Sequence, residues 1–169
     1  MRALVTGGAG FLGSCLVDCL LAAGISVDAL DDLSQGRMDN LRKALKNERF
    51  RFYLGSVLDE NLIASLVEKA DVVFHLAAVV GMRNIIHAET ECLRVNASGS
   101  YTVLRQCART FKRCVLFSSS DVYGNGHHDR FSETHPLNPG KRGSARWYYA
   151  VAKICSETVS YTHLTLPTN

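Results

Sequence analysis

A glycine-rich segment near the start of the chain, TGGAGFLG at residues 6–13, is the feature that most constrains the fold. It joins an apolar run typical of a buried strand to a helical pattern over residues 11–23. The spacing of Gly7, Gly10 and Gly13 suits a tight turn, a close approach of the backbone to a pyrophosphate, and close packing of helix on sheet. The amino end of the helix adds unpaired N–H groups and a positive dipole. The segment therefore predicts a dinucleotide-phosphate site, with a ligand-free glycine turn as the alternative.

The remainder of the chain alternates between strand-like and helix-like patterns. Apolar runs predict strands over residues 3–6, 26–30, 51–54, 72–76 and 115–118. Helical spacing predicts helices over residues 11–23, 38–46, 59–69 and 87–111, and from about residue 148 onward. The fourth strand is apolar almost without interruption, which is typical of a strand covered on both faces. We therefore predict an α/β fold, a doubly wound parallel sheet (Rossmann fold) with strand order 3-2-1-4-5.

The composition argues against several other classes of protein. With 169 residues, of which 47% are hydrophobic, the chain can bury one core and is too short for two ordinary domains. Its 19 basic and 16 acidic residues are scattered, so neither a nucleic-acid nor a membrane surface is indicated. The chain enters a strand pattern directly, without a signal segment, and lacks the run of roughly 20 apolar residues that a membrane helix needs. We expect a soluble, cytoplasmic protein with no nucleic-acid or membrane partner.

The six cysteines are expected to be buried, reduced thiols. They form no C-x-x-C pair, and five of them fall inside apolar helix or strand patterns. Two of them, four residues apart, could share a helix face, but no nearby histidine or carboxylate completes a metal site. We therefore predict no metal centre and no disulfide. The six are Cys15, Cys19, Cys92, Cys107, Cys114 and Cys155.

Two aspartates, Asp31 and Asp32, follow the second predicted strand. Asp31 stands at about the separation from the glycine turn at which a carboxylate hydrogen-bonds the adenosine ribose. Its charge would repel the extra phosphate of NADP, so the sequence favours NAD as the cofactor. The alternative is that Asp31 only caps the loop over residues 34–36.

A tyrosine and a lysine, Tyr149 and Lys153, lie one turn apart on the last predicted helix. A phenol with a pKa near 10 is a poor base at neutral pH, but a nearby ammonium and a positive nicotinamide ring both favour its phenolate form. The pair predicts a redox enzyme in which Tyr149 accepts a hydroxyl proton while the adjacent carbon gives up hydride. Tyr148 lacks such a partner, because Ala152 follows it at the same spacing. The alternative is an ordinary surface pair.

The serine-rich end of the fifth predicted strand, residues 118–120, brings hydroxyls to the carboxyl edge of the sheet, where ligands bind in open α/β folds. One hydroxyl could hydrogen-bond the reacting substrate oxygen, while a serine-rich turn that caps the strand is the alternative. A long loop is predicted over residues 123–146. Within it, His127 and His128 are expected to be solvated rather than to act as ligands.

Six motifs, in order, resemble the extended short-chain dehydrogenase/reductase family. They are TGGAGFLG at 6–13, DDLSQG at 31–36, HLAA at 75–78, Asn96 within RVNASGS, SSSDVYG at 118–124 and YAVAK at 149–153. Within the family they are most similar to NAD-dependent nucleotide-sugar epimerases, dehydratases and decarboxylases. The resemblance extends to about residue 160. It implies tightly held NAD, oxidation of a sugar at its 4-position to a ketone, and return of the hydride.

The resemblance also implies roles for individual residues. The implied catalytic residues are Ser119, Tyr149 and Lys153. The implied cofactor-binding residues are Gly7, Gly10, Phe11, Leu12, Gly13, Asp31, Ser56, Val57, Ala77, Ala78, Asn96, Tyr149 and Lys153. Ser56 is a departure, because the family often has an aspartate there for the adenine amino group, and a serine hydroxyl takes its place.

A second departure bears on the reaction. In 4,6-dehydratases an aspartate and a glutamate precede V-Y-G and serve as acid and base, whereas this chain has Ser120 and Asp121. Dehydration is therefore less favoured, and an epimerase or decarboxylase of a nucleotide-diphosphate sugar is predicted. A simple NAD(P)-dependent oxidoreductase of a hydroxyl or ketone substrate and an inactive nucleotide-binding fragment are the alternatives.

The end of the chain has an unusual composition. Residues 161–169 are rich in threonine and resemble translated adapter sequence at the end of an assembled gene fragment, with a native disordered tail as the alternative. We expect residues 1–160 to form the NAD-binding domain with the catalytic helix, and a substrate-binding carboxyl-terminal region to be missing. From the resemblance, we expect the full-length protein to form a homodimer through the helices near 87–111 and 148–160.

Overall fold

A five-stranded, all-parallel sheet forms the centre of the computed structural model, which describes residues 1–81, 85, 88–124 and 130–164. The strands are β1 (Arg2–Thr6), β2 (Ser26–Asp31), β3 (Phe50–Leu54), β4 (Val72–His75) and β5 (Arg113–Leu116). They lie in the order β3-β2-β1-β4-β5, and each neighbouring pair is parallel. The predicted Rossmann fold and strand order are confirmed.

Helices cover both faces of this sheet. They are α1 (Phe11–Ala22), α2 (Glu60–Lys69), α3 (Glu89–Leu93), α4 (Ser100–Arg109) and α5 (Ala145–Leu164). A π-helical segment, Arg94–Gly99, joins α3 to α4 without a break, and 3₁₀ turns occupy Met38–Leu41, Ala44–Lys46 and Ser120–Tyr123. The start of α2 is fixed by Asp59, whose carboxylate accepts the N–H of Leu62 at 3.0 Å.

Two hydrophobic clusters, one on each face of the sheet, hold the layers together. On one face Leu4 packs with Ile63 of α2 and Val103 of α4. On the other face Val5 packs with Val17 of α1. Adjacent residues of a strand enter opposite clusters because successive side chains point to opposite faces. Burial of each such side chain contributes about 1.5–3 kcal/mol. The carboxyl edge of the sheet is left to form a site.

Two predicted elements differ in detail from the observed ones. The helix predicted over residues 38–46 is instead a pair of 3₁₀ turns, in which the buried residues are Leu41 and Ala44. Two buried positions give too narrow an apolar face to hold a longer α-helix against the core. The strand predicted over residues 115–118 begins two residues earlier, and its pairing ends at His75, the last residue of β4.

The helices in the second half of the chain differ in extent from the predicted ones. The helix predicted over residues 87–111 is observed as α3, the π-helical segment and α4; residue 87 lies outside the described residues. α5 continues to Leu164, past residue 160, where the sequence pattern predicts its end. In the predicted long loop, the described residues between Gly124 and Ala145 form no helix or strand, and His127 and His128 lie outside the described residues.

The expectation that the cysteines are buried is wrong for half of them. All six thiols are free, but Cys15, Cys19 and Cys155 are exposed. α1 is apolar on nearly its whole circumference, so its apolar pattern does not tell the core face from the solvent face. Among the described residues, no group of three or more His, Cys, Asp or Glu side chains is arranged to hold a metal ion. No helix in the described part of the chain is long and apolar enough to cross a membrane.

Candidate active site

The glycine turn between β1 and α1 is folded tightly. Gly7 has a φ of +71°, and a Cβ there would lie 2.7 Å from the backbone nitrogen of Ala77. A Cβ on Gly13 would overlap the carbonyl oxygen of Gly7, so α1 packs directly on the turn. α1 begins after Gly10, which offers no side-chain cap. The N–H groups of the first helical turn are therefore available to an anionic ligand.

Asp31, at the end of β2, is held against this turn. Its carboxylate accepts hydrogen bonds from the backbone nitrogens of Ala9 at 2.9 Å and Leu33 at 2.8 Å. Burial raises the pKa of the Asp31 carboxyl, although these N–H donors counteract the rise. A carboxylate has about four acceptor positions, so Asp31 retains capacity for ribose hydroxyls. The adjacent Asp32 caps the loop, because it accepts from the nitrogen and hydroxyl of Ser34 at 2.9 and 2.6 Å.

A cavity of about 510 Å³ runs along the carboxyl edge of the sheet. Its volume lies within the usual range for ligand sites, about 300–1,000 Å³. It brings together most of the predicted cofactor-binding residues: Gly7, Gly10, Phe11, Leu12, Gly13, Asp31, Ser56, Val57, Ala77, Ala78, Tyr149 and Lys153. Two predicted site residues, Asn96 and Ser119, are not among the residues that line it.

Asn96 lies behind the cavity wall, in the π-helical segment. It is fully buried, and its amide bonds to both backbone groups of Val79: it accepts from the nitrogen at 2.7 Å and donates to the oxygen at 3.0 Å. This paired contact holds the loop that follows β4, where Ala77 and Ala78 line the cavity. Asn96 is therefore connected to the cavity through this loop and does not itself line the cavity.

Lys153 reaches the cavity from α5 and is 4% exposed. Its Nζ donates to the carbonyl oxygen of Phe117, just beyond β5, at 2.7 Å and lies 5.9 Å from the centre of the Tyr149 ring. Burial lowers the pKa of the Lys153 ammonium to about 8. The side chain is thus placed by a backbone acceptor, and it remains mostly charged near neutral pH.

Tyr149 lies one turn earlier on α5. Burial raises the pKa of its phenol, a hydrogen bond with Ser119 lowers that pKa, and the nearby Asp121 carboxylate raises it further. Without a cofactor, burial therefore outweighs the expected effect of the lysine ammonium, and the phenol stays protonated. A positive nicotinamide ring is the remaining influence that would favour the phenolate.

Ser119 lies beside Tyr149 at the start of a 3₁₀ turn. Its hydroxyl accepts the N–H of Asp121 at 3.2 Å, so it caps this turn as well as contacting the phenol. The neighbouring Ser118 lines the cavity but donates its hydroxyl to Glu157. The serine-rich run therefore has two uses, and Ser119 is the hydroxyl that contacts the tyrosine.

Comparison with known proteins assigns the chain to a family. Residues 3–163 match the NAD dependent epimerase/dehydratase family. The chain belongs to this family. It is 38% identical over 160 residues to a UDP-glucose 4-epimerase from Mycolicibacterium smegmatis, covering 93% of this chain and 49% of that protein. It is 34% identical over 158 residues to a UDP-N-acetyl-alpha-D-glucosaminuronate decarboxylase from Bacillus cytotoxicus, covering 94% and 48%.

Solved structures of the epimerase/dehydratase family have the same fold. DesIV, a dTDP-glucose 4,6-dehydratase from Streptomyces venezuelae solved with NAD bound, matches with a TM-score of 0.87 and 33% identity, covering 98% of this chain and 52% of that chain. The chain thus spans about half the length of the relatives that it matches.

The residues of the cavity fit NAD. The cradle around Gly7 and Gly13 has no room for a Cβ, as expected where backbone must approach a pyrophosphate. The uncapped start of α1 supplies donors for its oxygens, and the buried Asp31 carboxylate supplies an acceptor for a ribose diol. NAD is the family's cofactor, and this chain has the parts to bind it.

Some lining residues were missed by the sequence analysis. Gln35 spans the cavity: it donates to the Val80 oxygen and accepts from the Val80 nitrogen, both at 3.2 Å. Gly36 lies so close to Asp31 that a Cβ there would be 2.6 Å from a carboxylate oxygen. The signal for Gly36 was present in the sequence, as a glycine ending the DDLSQG loop. Nothing in the sequence paired Gln35 with the loop after β4, since 45 residues separate them.

Proposed function

We propose that the whole protein is a nucleotide-sugar epimerase or decarboxylase that works through a 4-keto sugar, using NAD that stays bound. The observation that carries this proposal is that Tyr149 and Lys153 both line the NAD cavity, with Ser119 close enough to the phenol to lower its pKa. The two curated relatives described above are a UDP-sugar epimerase and a UDP-sugar decarboxylase.

In the proposed mechanism, Tyr149 acts as the general base. Bound NAD supplies the hydride acceptor and, later, the hydride donor. The Tyr149 oxygen would take the proton of the sugar 4-hydroxyl as the 4-carbon gives up its hydride, and it would return the proton at the end of the cycle. Because the hydride also returns to the sugar, the net redox change would be zero. Ser119 holds the reacting oxygen, and Lys153, fixed by the Phe117 carbonyl, favours the phenolate through its charge.

The residues before V-Y-G support epimerisation or decarboxylation over dehydration. Asp121 is engaged by Arg146, with 3.5 Å between the carboxylate and the guanidinium. The preceding position has the hydroxyl of Ser120, which is a poor proton donor compared with a carboxylic acid. Dehydration, which needs both an acid and a base at these positions, is therefore the less favoured reaction.

We also propose a domain assignment, an oligomeric state and a location. Residues 1–160 form the NAD-binding domain with the catalytic helix, and residues 161–169 are not native sequence. The full-length protein forms a cytoplasmic homodimer through the outer faces of α4 and α5, which pack together. Tyr101 on α4 is an exposed aromatic residue at this face, as expected for an interface.

A simple NAD-dependent oxidoreductase is the competing reading, and one experiment separates the two. The protein from the complete gene is purified, its bound nucleotide is released and identified, and UDP-sugars are followed by mass and chromatography while nicotinamide absorbance is recorded. Conversion without a lasting absorbance change supports the proposal; loss of mass marks decarboxylation, and unchanged mass marks epimerisation. Stoichiometric NADH formation contradicts it. The same assay on Tyr149→Phe shows whether any conversion belongs to this site.

A further inference from the structure

His75, the last residue of β4, is a buried histidine to which the proposed mechanism gives no role. Its ring is 1% exposed, yet both nitrogens have partners. Nδ1 lies 2.7 Å from the hydroxyl of Thr6 on β1, and Nε2 lies 2.9 Å from the hydroxyl of Ser100 at the start of α4. The imidazole therefore links the centre of the sheet to the helix that follows the π-helical segment.

The direction of these hydrogen bonds can be assigned. The Ser100 hydroxyl donates its only proton to the Asn96 carbonyl oxygen at 2.6 Å, so it must accept from His75, and Nε2 carries the proton. Nδ1 is then the acceptor for the Thr6 hydroxyl, which itself accepts the N–H of Ala77 at 3.3 Å. These hydrogen bonds therefore all run in one direction, from the N–H of Ala77 in the cavity wall to the carbonyl of Asn96. Burial lowers the pKa of His75 to about 3, so this neutral form persists.

The carbonyl of Asn96 is where this chain of bonds meets the catalytic helix. Besides Ser100, it accepts from the hydroxyl of Ser156 on α5 at 3.0 Å, and the carbonyl oxygen of Ala152, also at 3.0 Å, shares that proton. Ser156 is one turn beyond Lys153 and is 1% exposed. The side chain of Asn96 meanwhile holds Val79 in the loop after β4. A π-helical segment, which is frequent at functional sites, displaces this carbonyl from its usual α-helical pairing.

We propose that His75 is a positioning residue: through Ser100 it fixes the Asn96 carbonyl, and so sets where α5 presents Tyr149 and Lys153 to the cavity. This inference rests on the proposed function of those two residues. A purely space-filling role would be met equally well by an apolar side chain, such as those that precede His75 in β4, Val73 and Phe74. An imidazole with both nitrogens bonded specifies a position as well as filling the space.

Two substitutions of His75 separate positioning from packing. In His75→Gln the amide lies as far along the side chain as Nε2 and can donate to Ser100. In His75→Asn the amide lies as far as Nδ1 and reaches only the Thr6 side. We expect His75→Asn to lower kcat at least ~10-fold with KM within about 2-fold, the effect of ~1.4 kcal/mol, while His75→Gln retains kcat within about 3-fold. Equal losses in both variants, in step with their thermal stability, would overturn the proposal.

The link to α5 is tested with Ser156→Ala and a matched control on the same helix. Ser156 and Thr158 each donate to the carbonyl four residues earlier, but Thr158 is exposed, and of the two only Ser156 also reaches the Asn96 carbonyl. We expect Ser156→Ala to lower kcat about as much as His75→Asn, Thr158→Val to leave it unchanged, and the double variant His75→Asn/Ser156→Ala to be little worse than either single one. If the losses of kcat add in the double variant, His75 and Ser156 act independently, which would contradict the proposal.

A readout that needs no sugar substrate keeps this proposal separate from the proposed function. Amide hydrogen exchange is measured on the wild-type protein, His75→Asn and His75→Gln. We expect faster exchange at Val79 and along α5 in His75→Asn alone. If the wild type converts no nucleotide sugar, the proposed function fails while this exchange pattern still tests the positioning. If exchange along α5 is the same in all three proteins, the positioning role is wrong whatever the activity.

Discussion

The two ends of the NAD cavity are built in different ways. At the dinucleotide end, which comprises the glycine turn and Asp31, backbone groups and close contacts define the shape, and the acceptor carboxylate is held by two N–H donors. At the catalytic end, which comprises Ser119, Tyr149 and Lys153, side chains define the site. Burial there lowers the pKa of Lys153 and raises that of Tyr149, so both charged forms are disfavoured.

This difference shows which property of the site depends on the cofactor. Shape at the dinucleotide end is present before anything binds, because it follows from the covalent structure of glycine and from helix packing. At the catalytic end, the Tyr149 phenol is still protonated before NAD binds. The positive nicotinamide ring of NAD is what favours its phenolate form. Binding and chemistry should therefore respond to different substitutions.

The largest effect is expected from Gly13→Ala at the dinucleotide end. Its Cβ would overlap the Gly7 carbonyl oxygen, and backbone on both sides must move to make room. We expect a loss of about 3 kcal/mol or more in the free energy of unfolding, together with loss of NAD binding. Denaturant unfolding followed by circular dichroism and titration with NAD measure the two.

The control for this substitution is Gly10→Ala. A Cβ on Gly10 would meet the same Gly7 oxygen at 3.2 Å, and its φ of −72° suits any residue. We expect this variant to fold with a loss of about 1 kcal/mol or less. If Gly13→Ala proves as stable as Gly10→Ala, tight packing of α1 on the turn is not what defines this end of the cavity.

The next largest effect is expected from Tyr149→Phe at the catalytic end. Removing the phenolic oxygen removes the proposed base and should lower kcat by about 10²–10⁴-fold, while NAD content and stability stay near those of the wild type. Tyr148→Phe is the control, because Tyr148 is adjacent to Tyr149 on α5 but does not line the cavity. Loss of NAD from Tyr149→Phe, or equal activity losses in both variants, would erase the distinction between the two ends.

The dinucleotide end was also the part that the sequence predicted best. A glycine at a fixed spacing after an apolar strand has few structural explanations, so Gly7, Gly13 and the strand order could be inferred without coordinates. The carboxylate of Asp31 followed from its place at the end of β2. Each of these depends on neighbours that are local in the chain or on a general rule of parallel sheets.

The catalytic end was harder to predict because its geometry depends on contacts between distant residues. Ser119 and Asn96 were selected by motif, but neither lines the cavity: Asn96 is fully buried, and Ser119 lies beside Tyr149. The proposed roles of His75 and Ser156 depend on β4, the π-helical segment and α5 coming together at the Asn96 carbonyl. The hydrophobic periodicity of the sequence does not indicate such a contact. The 3₁₀ turns over residues 38–46 were missed for a similar reason, because propensity alone does not show how few positions reach the core.

A pH experiment on Lys153 tests whether burial governs the catalytic end. The pKa of Lys153 is about 8 in the folded protein against an ordinary value of 10.5, so between these pH values the unfolded state binds more protons. Stability must then rise with pH across this window, and the cost of burying the ammonium is full below about 8.

The measurement compares the wild type with Lys153→Met by denaturant unfolding from pH 7 to 10. The other titrating groups are common to both proteins and cancel in the difference. We expect the free energy of unfolding of the wild type to rise relative to that of Lys153→Met as pH rises. The full window between the two pKa values corresponds to roughly 3 kcal/mol. A constant difference would mean that Lys153 keeps its ordinary pKa and that burial does not govern the charge of this side chain.

The smallest effect is expected from Gln35→Ala, which removes the contact between the loops after β2 and β4. Two exposed hydrogen bonds at 3.2 Å are lost. Exposed bonds of this length lie at the low end of the usual range, about 0.5 kcal/mol each, so about 1 kcal/mol is lost and NAD should dissociate roughly 5-fold faster, with kcat unchanged. Gln106→Ala on α4, outside the cavity lining, is the control, and nucleotide release is followed with NADH, whose reduced nicotinamide is fluorescent. A 100-fold faster release would mean that a side chain, rather than the backbone of the glycine turn, retains the cofactor, which would reverse the comparison drawn above.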